Sequence, residues 1–372
     1  MEQLIENSLK LGFGLMRLPR MASGEIDVEQ TKQMVDLFME AGGRYFDTAF
    51  VYQGSEEATR QALCERYPRD SYYLATKLNA GEFCCKSEQQ AREEIRISLE
   101  RTGAEYFDFY LLHALDSGNM ARYEKYGLWE YLKELKEQGI IRHFGFSFHD
   151  KPEVLDQILT AHPEAEFVQL QINYADWENP GVQSRACYEV AEKHGKPVVV
   201  MEPVKGGLLA APPETVESIL KTADPDASCA SWAVRFAASQ PNVFVVLSGM
   251  STTGQMENNL SYMKEFRPLS GEEYEVIAEA RKALDQIDKI PCTACAYCKP
   301  GCPMSIDIPA VFSVANVYKM YDNLAAAKNE YFYNVPGAKA SECVGCGQCE
   351  SACPQHLPII SLLQEAAEKL EQ

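Results

Sequence analysis

No long hydrophobic run exists in this 372-residue chain, and nothing approaches the roughly 20 consecutive apolar residues that a membrane-spanning helix needs. A membrane protein is therefore not expected. Met1 to Lys10 is polar and acidic, without the apolar core of a secretory signal, so the expected location is the cytoplasm. Positive charge is scarce: 35 Lys and Arg stand against 54 Asp and Glu, for a formal net charge of −19, and no local basic patch offsets it. Such a chain repels nucleic acid and anionic membrane, which leaves a small molecule as the expected partner. No GxGxxG follows the first candidate strand, which weighs against a Rossmann domain, and no flavin motif or low-complexity tract is evident.

Cysteine, by contrast, is plentiful. Eight of the thirteen fall into two copies of one pattern: Cys292, Cys295, Cys298, Cys302-Pro303 and Cys343, Cys346, Cys349, Cys353-Pro354. This is the ligand spacing of paired [4Fe-4S] clusters. Three thiolates at steps of three let one loop wrap a corner of the iron-sulfur cube, while the fourth, followed by a chain-turning proline, ligates the other cluster. One cluster is then expected on Cys292, Cys295, Cys298 and Cys353, and the second on Cys343, Cys346, Cys349 and Cys302. A zinc ribbon needs two cysteine pairs and leaves half of each run unexplained, and disulfides call for an oxidising compartment. Of the remaining cysteines, Cys64, Cys187 and Cys229 read as small core residues in helical patterns, and Cys84-Cys85 as free thiols in a surface loop.

From residue 9 to about 265, β-branched or aromatic runs alternate with longer helical patterns, the signature of repeated strand-helix units. Eight strands are expected: 11–18, 44–49, 72–78, 107–113, 143–148, 167–173, 198–203 and 243–249. Eight such units in about 250 residues predict an α/β fold of the (β/α)8 TIM-barrel class rather than an open doubly wound sheet. Helix starts are read at Asp150 with Pro152 and Glu153, and at Asp224 with Pro225. Ser270 and Glu273 form a capping box for a helix reaching about Ile287. The expected domains are the barrel at 1–268, a helical linker at 269–289 and an iron-sulfur domain at 290–372. Helical patterns at 308–321 and 324–333 make that last domain mainly α-helical, similar to the α-helical ferredoxin type.

Polar residues sit where the barrel strands end: Asp47, Lys77 and His113, with Tyr52 in the loop beyond Asp47. The C-terminal rim is where such barrels do their chemistry. Phe46-Asp47-Thr48-Ala49 with Tyr52, Gly54, Ser55 and Glu56, then Ala75-Thr76-Lys77, then Ser98-Leu99 through Asp108-Phe109-Tyr110-Leu111-Leu112-His113, closely resemble the aldo-keto reductases. The resemblance implies a carbonyl/alcohol oxidoreductase using NADP(H) or NAD(H). It makes Tyr52 the general acid, Lys77 its pKa-lowering neighbour, Asp47 the counter-ion of that lysine, and His113 the group that orients the substrate carbonyl. The residue types suit the task, because hydride transfer builds charge on oxygen and a phenol of pKa about 10 is a poor donor without a neighbouring ammonium.

For the cofactor, the resemblance assigns the carboxamide to Ser147 and Gln171, the pyrophosphate to Gly206-Gly207, and the adenosine end to Ser248, Gly249, Ser251, Gln255 and Asn258. This chain departs from the family in three places. Phe148 follows the serine in place of asparagine, Met201 stands where an aromatic stacks on the nicotinamide, and Ser248 and Gly254 replace the Lys and Arg that hold a 2'-phosphate. Lys205 is the nearest replacement cation. Trp177 and Tyr174 are candidates for the pocket border, and His356 for a hydrogen bond near a cluster sulfur.

Hydride moves two electrons and iron-sulfur clusters move them singly. Three readings follow: electron exchange between the barrel site and an external ferredoxin or flavodoxin-type carrier; a carbonyl reductase with structural clusters; or a redox sensor or nucleotide-binding protein with an inactive barrel.

Overall fold

A computed structural model describes residues 8–82 and 84–372. Packing divides the chain into two units, one running to Lys205 and including Ala230–Glu273, the other comprising Gly206–Cys229 and Tyr274–Gln372.

The first unit carries eight parallel strands: β1 Leu11–Gly14, β2 Tyr45–Asp47, β3 Tyr73–Leu78, β4 Phe107–Leu115, β5 Ile141–Phe148, β6 Val168–Gln171, β7 Val198–Met201 and β8 Val243–Ser248. They close in sequence order, with β1 pairing both β2 and β8. The fold is a (β/α)8 barrel, and its interior is built on the two-residue period of the strands. Tyr45, Ala75, Phe109, Leu111, Phe167, Val199, Val245 and Leu247 form one buried cluster. Stepping by two from these residues toward the strand C-termini reaches Asp47, Lys77, His113, Gln171, Met201 and Gly249. The face that fills the barrel with apolar side chains therefore ends, at its rim, in chemistry. Gly145 on β5 is required by close approach, since a Cβ there would stand 2.2 Å from the Phe167 carbonyl oxygen.

Several boundaries differ from expectation for local reasons. β1 stops at Gly14 because Leu15–Arg17 turns into a 3-10 helix. β4 runs on to Leu115 through a register shift after Leu112, with Ala114 left-handed at φ 55. Asp224 does not start a helix: it ends the helix Glu214–Ala223, its carboxylate accepts from the backbone N–H groups of Asp226 and Ala227, and the next helix begins at Cys229. The helix at Pro152 begins with proline in its first turn, but Lys151 is its N-cap, while Asp150 accepts from the backbone of Ser117 and Lys151.

The second unit has no strands among its described residues. Its helices Ile308–Tyr321, Leu324–Asn334 and Ile359–Leu370 bury Val311, Phe312, Ala315, Ala327, Leu363 and Ala366. The Asn316 side chain bonds both the N–H and the carbonyl of Ile290, tying the approach to the first cysteine loop onto the helix Ile308–Tyr321. No helix among the described residues is long and apolar enough to cross a membrane.

Candidate active site and cysteine cavities

At the barrel mouth the Lys77 ammonium donates to Asp47 Oδ1 at 2.5 Å and to the Thr48 carbonyl at 2.7 Å. Both side chains of the pair are buried. Lys77 Nζ lies 5.0 Å from the centre of the Tyr52 ring, and that ring meets His113 edge-on with centroids 5.7 Å apart. The four residues expected to act together are thus gathered in one place.

The surrounding motif residues hold this arrangement. Tyr52 N–H donates to the Ala49 carbonyl and Ser55 N–H to the Tyr52 carbonyl, so the loop after β2 folds through two turns into the helix Ser55–Thr59. The Ser55 hydroxyl shares a 2.8 Å bond with Thr48 Oγ1 and donates to the Leu15 carbonyl. Glu56, also buried, accepts from Thr76 Oγ1 at 2.9 Å and pairs with Arg101 at 3.2 Å. These bonds explain Ser and Glu in the motif: each satisfies buried polar groups that fix the loop carrying Tyr52.

Burial disfavours charge on Lys77, but the Asp47 carboxylate and then Tyr52 outweigh it and hold the amine above its ordinary range, so it stays an ammonium. Burial pushes the Tyr52 phenol up by more than Lys77 pulls it down. The expected lowering is present as one contribution and is outweighed by desolvation, and the phenol keeps its proton at neutral pH. His113 is driven well below the ordinary imidazole value by burial first, then by Lys77 and His149, so it is neutral. Its Nδ1 is buried without a hydrogen-bond partner.

Around this centre, Ser147 Oγ accepts from the N–H of Ala114, which makes the irregularity in β4 a brace behind His113. Gln171 sits beside Met201 in the β6–β7 register. Gln171 Nε2 donates to Asp176 Oδ2 at 2.9 Å, leaving its oxygen as an acceptor, and Asn173 Nδ2 donates to the same carboxylate oxygen. Asp176, which the sequence reading missed, is buried and also receives Lys205 Nζ at 2.7 Å. Lys205, the expected replacement cation, is thus paired with a buried carboxylate in this structure. Ser248 is buried at the end of β8 and Gly249 is exposed. Ser251 N–H donates to Gln255 Oε1, and the helix Thr253–Met263 carries Gln255 and Asn258, its start capped by Thr252. Gly206 and Gly207 form the turn Lys205–Gly207 that follows β7 in the chain.

Two lesser expectations change. Cys85 is buried rather than exposed, and Cys84 donates to Glu94 at 3.2 Å. Tyr174 is fully buried against Phe236 rather than bordering a pocket. Trp177 packs on Phe236 and Tyr188.

In the second unit the eight motif cysteines line two cavities. One is lined by Cys292, Cys295, Cys298 and Cys353 with Ile308, Phe312 and Leu357 among its apolar walls. The other is lined by Cys302, Cys343, Cys346 and Cys349 with Ile306 and Leu363. Each cavity takes three sulfurs from one loop and the fourth from the other. Among the described residues no three His, Cys, Asp or Glu side chains converge to hold a single ion. A four-thiolate site for an iron-sulfur cube needs no such convergence, because each sulfur binds a different iron. Four soft thiolates set against apolar walls fit that group.

Known proteins match two successive stretches of the chain. A 4Fe-4S dicluster domain model matches residues 291–357. An aldo-keto reductase of Mycolicibacterium vanbaalenii is 29% identical over 269 residues, covering 72% of this chain and 86% of that protein. The holo form of an aldo-keto reductase from Bacillus halodurans superposes with a TM-score of 0.59 at 26% identity, over 73% of this chain and 91% of that one. A Klebsiella pneumoniae aldo-keto reductase solved with NADPH shares the fold at 20% identity, with a TM-score of 0.56 over 73% of this chain and 90% of its own. Because the aldo/keto reductase family model matches residues 10–282, around the very mouth just described, the chain belongs to that family of carbonyl/alcohol oxidoreductases.

Proposed function

We propose that the barrel mouth interconverts a small-molecule carbonyl and its alcohol, with NADP(H) or NAD(H) as hydride partner and Tyr52 as proton donor. The observation that carries this reading is the buried Asp47–Lys77 pair facing Tyr52 and a neutral His113. A bound nicotinamide ring supplies or accepts the hydride. As charge grows on the carbonyl oxygen, Tyr52 delivers its phenolic proton, and the Lys77 ammonium stabilises the phenolate left behind. Asp47 is a positioning residue, keeping Lys77 charged and aimed. Neutral His113 hydrogen-bonds the substrate oxygen without adding charge. Ser147 and Gln171 offer a hydroxyl and an amide oxygen to the carboxamide, and Met201 offers an apolar, polarisable surface to the ring. Ser248, Gly249, Ser251, Gln255 and Asn258 are the proposed adenosine-end contacts.

The cysteine cavities are proposed to hold two [4Fe-4S] clusters, one on Cys292, Cys295, Cys298 and Cys353, the other on Cys302, Cys343, Cys346 and Cys349. Such clusters take up and release single electrons. The proposed exchange partner is an external ferredoxin or flavodoxin-type carrier.

The test is a Tyr52→Phe variant of anaerobically purified protein, assayed with both nucleotides against a carbonyl panel. The rate is expected to fall by about 10²- to 10⁴-fold with nucleotide binding retained. Undiminished turnover removes Tyr52 from the mechanism. Tight nucleotide binding by the wild-type protein without turnover on any carbonyl favours a sensor.

A further inference from the structure

We infer that Asp176 is a positioning residue for the nicotinamide end of the cofactor: it pins Gln171 by its amide nitrogen, so that the site meets the carboxamide with an oxygen. This rests on the nucleotide-dependent reading above, which gives the carboxamide to Ser147 and Gln171. A glutamine amide has a donor half and an acceptor half of nearly equal size, and turning it over exchanges them. Left to itself, Gln171 could offer either half.

Asp176 removes that ambiguity. A carboxylate only accepts, so the half of Gln171 that lies 2.9 Å from Asp176 Oδ2 is the nitrogen. The same oxygen accepts from Asn173 Nδ2 at 2.8 Å, and Oδ1 accepts from the Lys205 ammonium at 2.7 Å. Asp176 is 1% exposed, and its own N–H donates to Asn173 Oδ1 at 2.9 Å, so the loop after β6 closes on itself and sets the carboxylate in place. The backbone of Gln171 is fixed separately, its carbonyl accepting from Ser184 Oγ at 2.7 Å. Turned the other way, Gln171 would set its oxygen against the carboxylate, two acceptors facing each other beside a buried group.

Ser147 supplies the opposite polarity. Its oxygen is engaged by Ala114 N–H at 2.7 Å, and its hydroxyl proton is what it has to give. A carboxamide between the two is received with its NH2 toward Gln171 and its oxygen toward Ser147, whereas an acetyl group puts a methyl where Gln171 requires a donor. Asp176 also ties the end of β6 to the end of β7, where Gln171 and Met201 are neighbours in register. Asn173 Nδ2 donates to the Glu202 carbonyl at 3.1 Å while Lys205 pairs with Asp176, and both Glu202 and Lys205 have left-handed backbones, φ 56 and 49. Such conformations are unfavourable for residues with a side chain and persist only where neighbours hold them.

The experiment measures dissociation constants calorimetrically for intact anaerobic protein, for Asp176→Leu, and for Asp176→Leu combined with Lys205→Met, which removes the charge that the first variant strands. The probes are NAD+ and NADP+, their 3-acetylpyridine analogues, which carry a methyl in place of the carboxamide NH2, and ADP-ribose with its 2'-phosphate form, which lack the ring. The wild-type protein is expected to prefer the carboxamide over the acetyl form by about 10-fold. In both variants that preference should shrink to within about 2-fold, with affinity for the ringless probes unchanged. Loosening of the fold does not produce that split. Wild-type preference retained in either variant overturns the assignment, and so does a parallel loss of affinity for the ringless probes, which makes Asp176 merely structural. Equal binding of carboxamide and acetyl forms by the wild-type protein also overturns it and leaves the barrel reading intact. Absence of dinucleotide binding by the wild-type protein overturns that reading itself.

Discussion

The barrel mouth and the cysteine loops solve the problem of placing reactive groups in opposite ways. At the mouth, Lys77 on β3 donates to Asp47 on β2 and to the Thr48 carbonyl, and Thr76 on β3 donates to Glu56, so these groups are held by protein partners on and beside strands of fixed register. In the loops the backbone is left-handed at Ala294, Ala296, Ser305, Gly345, Gly347 and His356, and Cys295 and Cys346 are exposed. These six positions correspond pairwise between the two motifs: Ala294 to Gly345, Ala296 to Gly347 and Ser305 to His356. The loops share one geometry, but the first adopts it with alanine where the second has glycine, at a cost of about 1–2 kcal/mol per residue. The mouth is held by pairings within the protein, whereas the loops present sulfurs that are partly open to solvent.

Breaking the mouth's internal pairing gives the largest expected effect. Lys77→Met leaves a buried carboxylate unpaired and should cost about 3–5 kcal/mol in unfolding free energy. Adding Asp47→Asn should restore much of it, as read by denaturant unfolding; an unchanged midpoint for Lys77→Met contradicts preorganisation.

Next in size is a pH effect at Glu94, whose carboxyl burial pushes up from 4.5 to about 7 despite bonds from Asn79 and Cys84. Below the ordinary value both folded and unfolded chains hold this proton. As pH rises, the unfolded chain loses it first, so stability falls between 4.5 and about 7 and then levels. Glu94→Gln should flatten that slope and raise Tm at pH 8, with up to about 3 kcal/mol at stake. A pH profile identical to that of the wild type sinks the assignment.

The smallest effect sharpens the contrast between loops. Ala294→Gly and Ala296→Gly should each stabilise the first loop by about 1 kcal/mol, seen as slower iron loss to a chelator. Gly345→Ala should do the reverse in the second, where a Cβ meets nothing within 4 Å and only the backbone term remains.

The barrel was legible because its signals are local: strand alternation, and polar residues closing each apolar stripe at the rim. The cysteine spacing was equally local, and so were the helices that separate the motifs. What escaped were pairings made across the fold. Lys205 read as an available cation until Asp176, 29 residues earlier, turned out to hold it. Arg17 read as part of a strand, because nothing nearby in sequence announces that β1 stops at Gly14 or that Ser251 will fasten the turn. Asp224-Pro225 misled for a related reason, since Asp followed by Pro serves the end of one helix as well as the start of another.

The interleaving of the two motifs can be tested by counting iron in two double variants of anaerobically purified protein. Cys295→Ala with Cys353→Ala removes two sulfurs from one cavity, and should leave about four irons per chain out of about eight. Cys295→Ala with Cys302→Ala takes one sulfur from each cavity and should empty both. The opposite pattern, with the second variant keeping a cluster and the first keeping none, would mean that each motif binds its own cluster and would contradict the account.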